Sequence, residues 1–109
     1  MAIEHASSGQ VVDIHPLGGQ LAQAQSFALC KTGDLEVMRL VIPAHKCVPT
    51  HHVSGDQTMQ CLEGQVEVTV GGQARMMQAG KLLWIAGGVA YSLRALQNAS
   101  LLVTIALHR

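Results

Sequence analysis

The feature that most constrains this chain is its punctuation. Turn signals stand at Thr32-Gly33-Asp34 and then recur every six to ten residues, at Gly55-Asp56, Gly64, Gly71-Gly72, Ala79-Gly80, Ala86-Gly87-Gly88 and Gln97-Asn98-Ala99, while Pro43 and Pro49 break the longer stretch 35–54. No run between them is long enough for an amphipathic helix with a core-facing stripe. The runs are short and rich in apolar residues. QVEVTV (65–70) puts Val66, Val68 and Val70 on one face and Gln65, Glu67 and Thr69 on the other, the period of a half-buried strand. Gly71-Gly72 then supplies a two-residue hairpin turn before ARMMQ. LEVMRLVI (35–42) is apolar on both alternating faces, as a strand covered on both sides is. QTMQCL (57–62), LLWI (82–85), YSLRAL (91–96) and LLVTIAL (101–107) complete the series, and LAQAQSFALC (21–30) reads as a strand running into the first turn. Pro43 and Pro49 bracket an extended segment that no helix interior accepts. Residues 1–20, with Ser7, Ser8, Gly9, Pro16, Gly18 and Gly19, read as a tail and turn. The expectation is one all-β domain over 21–109, a sandwich or barrel.

Composition narrows the function. The 109 residues are 49% hydrophobic and 13% charged, with seven basic and seven acidic side chains. A neutral chain without a basic run lacks the electrostatic footprint of a nucleic-acid or anionic-membrane partner. No apolar run approaches the roughly 20 residues of a membrane helix. So much apolar content with so little charge favours a homo-oligomer. Cys30, Cys47 and Cys61 are odd in number and form no CxxC, which argues against a disulfide framework. The opening MAIEHASSGQ has neither the basic nor the apolar region of a secretory leader, so the expected setting is reduced and cytoplasmic.

The spacing of particular residues carries a resemblance. His45, His51, Val53, Gln57 and Gly64 stand at the intervals of the first cupin motif, whose residues are Gly, His, His, Glu and Gly. Gly80, Ala86, Gly88, Tyr91 and Ala95 stand at the intervals of the second, whose residues are Gly, Pro, Gly, His and Asn. The chain from about Leu21 onward, including CLEGQVEVTVGG and QAGKLLWIAGGVAYSLRAL, resembles small single-domain cupins of the RmlC-like type. That resemblance implies an all-β jelly-roll barrel, a double-stranded β-helix. It implies little about activity, since the same barrel hosts isomerases, dioxygenases, decarboxylases and binding proteins.

The resemblance also implies four inward-facing metal-ligand positions, here His51, Val53, Gln57 and Tyr91. Valine has no donor, glutamine offers a neutral carbonyl, and a phenol binds metal well only when ionised. One good ligand of four is too few for a tight transition-metal site. The expectation is therefore no cofactor. A divalent transition metal on His51, with His45 and Gln57 as further candidates, is the minor alternative. Residues two apart on a strand share a face, so His51 is expected inward and His52 outward. His5, His15, His52 and His108 read as surface residues.

By the same parity Met59 and Cys61 join Gln57 in the barrel, Cys47 shares the face of His51, and Trp84 is core or interface. Asp13, Asp34 and Asp56 read as turn residues. The expected pocket is His51, Val53, Gln57, Met59, Cys61 and Tyr91, apolar with three polar anchors. The leading functional expectation is binding of a small molecule in the barrel. A metal-dependent dioxygenase or isomerase on His51 is one alternative. A metal-free epimerase or isomerase, with His51 and Tyr91 as the catalytic candidates, is the other.

Overall fold

The computed structural model describes residues 5–107. Nine strands follow one another: β1 (Phe27–Lys31), β2 (Leu35–Ile42), β3 (Cys47–His51), β4 (Gln57–Glu63), β5 (Gln65–Val70), β6 (Gln73–Gln78), β7 (Leu82–Ile85), β8 (Tyr91–Ala95) and β9 (Ala99–Ala106). They form two antiparallel sheets, one of order β1-β2-β9-β4-β7 and one of order β3-β8-β5-β6. The two sheets face each other across one core. Val66 and Val68 of β5, Leu93 and Ala95 of β8, Met59 and Cys61 of β4 and Leu101 and Val103 of β9 are all buried there. Burial alternates along β4, β5 and β8, as strands with one covered face require.

Two glycine sites fix the chain's reversals. Gly71 and Gly72 both have positive φ, the geometry of a tight hairpin turn, and β5 pairs with β6 from Gln65↔Gln78 to Val70↔Gln73. Gly64 has φ +85°, and a Cβ there would overlap the Asn98 carbonyl and Ala99. The β4–β5 corner therefore accepts only glycine.

The structure refines the sequence reading at several places. Only the end of 21–30 is a strand: Gly18–Gln23 is a short 3-10 helix, and β1 starts at Phe27. The Ala and Gln of this stretch follow their own preference for helix until Phe27. Ala99 opens β9 rather than closing a turn, because its pairing with Ile42 continues the β2–β9 ladder to its end. Of the two places expected for Trp84, core or interface, the core is ruled out: it is 65% exposed on edge strand β7, beside Leu82 at 66%. Cys47 does not share the face of His51, for a reason that belongs to the site below. The N-terminal segment is also no free tail from His5 onward, since Ala6 donates to the Leu29 carbonyl at 2.7 Å. His108, expected at the surface, and the first four residues lie outside the described residues.

Candidate functional site

Strand β3 is an edge strand, which is what lets it carry Pro49 without losing a ladder bond. It pairs with β8 as Cys47↔Arg94, Val48↔Leu93 and His51↔Tyr91. Three steps on β3 match two on β8, so the ladder bulges at Pro49-Thr50. The bulge flips the side-chain parity. Val48, not Cys47, ends on the face of His51, while Cys47 is exposed opposite Arg94.

The bulge also fixes the histidine. His51 Nδ1 lies 2.9 Å from the Pro49 carbonyl, and His51 Nε2 lies 2.9 Å from the Tyr91 hydroxyl. A carbonyl only accepts, so Nδ1 carries the proton and donates it. Nε2 of the neutral ring is then an acceptor and takes the Tyr91 proton. The two rings are tilted at 51° with centroids 4.5 Å apart, which leaves no freedom for the imidazole to turn away without losing both contacts. The Tyr91 hydroxyl also lies 3.4 Å from Gln57 Oε1, a long contact that its single proton does not serve while it is donated to His51 Nε2. Tyr91 sits in one sheet and Gln57 in the other, so this chain of polar groups crosses the core at one end of the barrel. His51 is exposed, Tyr91 is 5% exposed and Gln57 is 2% exposed, so polarity runs from solvent into the interior.

In its present orientation the buried Gln57 amide leaves Nε2 without a hydrogen-bond partner, and turning the amide over sets Nε2 against the Tyr91 oxygen. Leaving such a group unpaired costs about 1–3 kcal/mol. It stands where the cupin motif has its glutamate ligand.

The donor set does not fit a divalent metal. Both nitrogens of His51 are engaged, Val53 offers no side-chain donor, and Gln57 and Tyr91 are neutral groups already facing each other. No group of three His, Cys, Asp or Glu side chains suited to a metal occurs among the described residues. His45 does not join His51. Its amide bonds the Ala95 carbonyl at one end of β8, whereas His51 pairs with Tyr91 at the other. Four strand residues separate those ends, about 13 Å. His45 takes a left-handed backbone, with φ +69°, that glycine adopts at least cost.

The remaining expected pocket residues divide. Val53 is half-buried near the site, and its carbonyl accepts from Gly88 at 2.8 Å. Met59 and Cys61 lie deeper along β4 in the packed core. Burial pushes the Cys61 thiol up, and the thiol faces the Glu63 and Gly64 carbonyls rather than the barrel mouth. His52 is exposed and forms no contact with this group among the described hydrogen bonds. Asp56 is a turn residue as expected, its carboxylate accepting from the Gly87 amide at 2.8 Å.

Sequence reasoning missed a second polar cluster on the outer face of the larger sheet. Arg39, 2% exposed, pairs with Glu63 at 3.1 Å, and the Ser100 hydroxyl donates to the same carboxylate at 2.6 Å. The Leu17 and Gly18 amides donate to Glu63 at 3.0 and 3.1 Å, and Arg39 donates to the His15 carbonyl at 2.8 Å. Burial pushes the Glu63 carboxyl up, but the donors from Leu17, Ser100, Gly18 and Arg39 outweigh it and hold the group below its ordinary value. Parity along β4 assigns Glu63 to the interior with Cys61. A bulge between Cys61 and Glu63 turns it to the outer face beside Ser100. This cluster clamps the N-terminal segment to the barrel.

No protein-family model matches the chain, and no curated protein sequence matches it. Solved structures do. An RmlC-like cupin from Shewanella frigidimarina superposes with a TM-score of 0.74 at 20% identity, over 98% of this chain and 94% of its own. A cupin superfamily protein from Desulfitobacterium hafniense gives 0.74 at 14% identity, over 76% of each chain. A salicylate 1,2-dioxygenase from Pseudaminobacter salicylatoxidans gives 0.68 at 17% identity, over 73% of this chain but 25% of that larger one. The chain has the cupin fold, the RmlC-like jelly-roll barrel expected from its motif spacing.

Proposed function

We propose, for a chain with this cupin fold, that it binds a small organic molecule at the barrel mouth through hydrogen bonds and holds no resident metal. The observation that carries the reading is the chain His51–Tyr91–Gln57, which fills the metal positions with groups already committed to one another. It ends in a buried amide with an unpaired Nε2. A site of this kind recognises polar groups of an organic ligand by geometry, since each unpaired group rejects a ligand that cannot complete it.

The test is a thermal-shift screen of metabolites on metal-free protein, repeated with Tyr91→Phe. A hit that stabilises the native protein and not the variant supports the reading. Hits that appear only after zinc, iron or manganese is restored contradict it.

A second reading is proton transfer at the same mouth. It is supported by the 2.9 Å hydrogen bond between the Tyr91 hydroxyl and His51 Nε2. Deuterium exchange at a carbon acid of a bound hit, lost in Tyr91→Phe and His51→Ala, separates catalysis from binding.

The reading includes a homodimer in a reduced, cytoplasmic setting. Support comes from Leu82 and Trp84, two-thirds exposed on edge strand β7, and from the free thiols of Cys30, Cys47 and Cys61. A light-scattering mass of one chain contradicts the dimer.

A further inference from the structure

The N-terminal segment crosses the outer face of the larger sheet, opposite to the face that carries Gln57. It is pinned at two places. Ala6 bonds β1 at Leu29, and the His15–Gly18 stretch is held by Arg39 and Glu63. The hydrogen bonds described for residues 7–14 stay within the segment, such as Gln10 to the Ser7 carbonyl and the Ser7 amide to Gln10 Oε1. The span between the pins therefore rests on the sheet without bonding it.

Beneath the span lies a cavity of about 480 Å³. Val12 and Ile14 face it from the segment, and Leu29, Val37 and Leu102 face it from the sheet. Its polar lining consists of hydroxyl and amide groups and the Cys30 thiol, and no Asp, Glu, Lys, Arg or His lines it. All five of these apolar residues remain half-buried although they face one another. The space opens to solvent between the segment and the sheet, an apolar groove that the segment spans without filling. Its volume lies in the range of small-molecule sites, about 300–1,000 Å³.

We infer that this cavity is a second binding site, distinct from the barrel mouth, for a neutral apolar small molecule. The absence of charge in the lining excludes a buried ionic group, and the neutral rim suits at most a hydroxyl or carbonyl at one end. The two pins make the segment a strap that the ligand completes rather than displaces.

Xenon, a neutral apolar probe that enters dry apolar cavities, tests the site on the native protein. Methyl resonances of Val12, Ile14, Leu29, Val37 and Leu102 are followed under xenon pressure. The expected result is saturable shifts at these methyls. In parallel, the neutral dye N-phenyl-1-naphthylamine is titrated against native protein and Val37→Trp, which fills the cavity floor. A saturable fluorescence rise that weakens at least tenfold in the variant supports the site. Methyls that xenon leaves unmoved overturn it, as does dye binding that Val37→Trp does not weaken. If the same methyls instead contact a second chain in a dimer, the cavity is an interface and the inference fails. Should Val37→Trp not fold, the xenon shifts decide alone.

Discussion

Removing the Glu63 carboxylate should cost more than any surface charge in this protein. In Glu63→Ala the Arg39 guanidinium, its side chain only 3% exposed, loses its countercharge. The Leu17 and Gly18 amides and the Ser100 hydroxyl lose their acceptor in the same step. An uncompensated buried charge costs about 3–5 kcal/mol. Domains of this kind have a total stability of about 5–15 kcal/mol, so the variant should sit near the edge of folding. The pair itself need not be strongly stabilising, because two charges were desolvated to make it. Arg39→Met combined with Glu63→Leu should therefore cost less than the sum of the single variants, with a coupling of about 1–3 kcal/mol. Urea denaturation at neutral pH measures all four corners of the cycle, and hydrogen exchange at the Leu17 and Gly18 amides reports the clamp locally. A Glu63→Ala cost under about 1 kcal/mol, or additive single variants, would refute a buried clamp. The pH dependence has a definite sign. Glu63 is held below its ordinary value of 4.5, so the folded state binds its proton less readily than the unfolded chain. Its contribution is complete above that ordinary value and is lost as pH falls through the lowered one. Glu63→Gln should flatten this part of the acid limb of the stability profile.

Other substitutions follow from the same contacts. Gln57→Leu removes the unpaired buried amide and should stabilise the fold by about 1–2 kcal/mol in chemical denaturation while abolishing ligand stabilisation at the mouth. His45→Gly relieves a left-handed backbone worth about 1–2 kcal/mol, partly offset by glycine's entropy in the unfolded chain, so a melting-temperature rise is expected. Gly64→Ala adds both positive-φ strain and overlap with the Asn98 carbonyl, and should cost about 3 kcal/mol or more by denaturant titration.

The barrel was legible because its signals are periodic. β2, β5 and β7 begin and end where alternation and turn residues place them, since each strand's pattern is set by one buried face. The site was legible only where that period holds. It led from Gln57 to Met59 and Cys61, which are buried on β4 but packed in the core, whereas Tyr91 was set opposite His51 by the motif spacing and not by the period. It failed at Cys47, and the same count would misplace Glu63, for one physical reason. Each lies across a bulge from the residues used to count parity, and a bulge adds one residue to one strand alone. Neither bulge has a local signature strong enough to announce it, although Pro49 marks the first. The Arg39–Glu63–Ser100 clamp was invisible for the further reason that its members are 24 and 37 residues apart and meet only through the pairing of β2, β9 and β4. Tyr91 differs: its hydrogen bond to His51 spans 40 residues, but the motif spacing had already joined the two strands that carry it.

The central claim is that the barrel mouth is a hydrogen-bonded site for an organic ligand rather than a metal centre. Nitrogen NMR of the His51 ring during zinc titration tests it most directly. The account predicts a neutral ring protonated on Nδ1, with Nε2 accepting from Tyr91, and no saturable change up to several equivalents of zinc. Displacement of the Nε2 resonance to a coordinated position at one equivalent of zinc would contradict it.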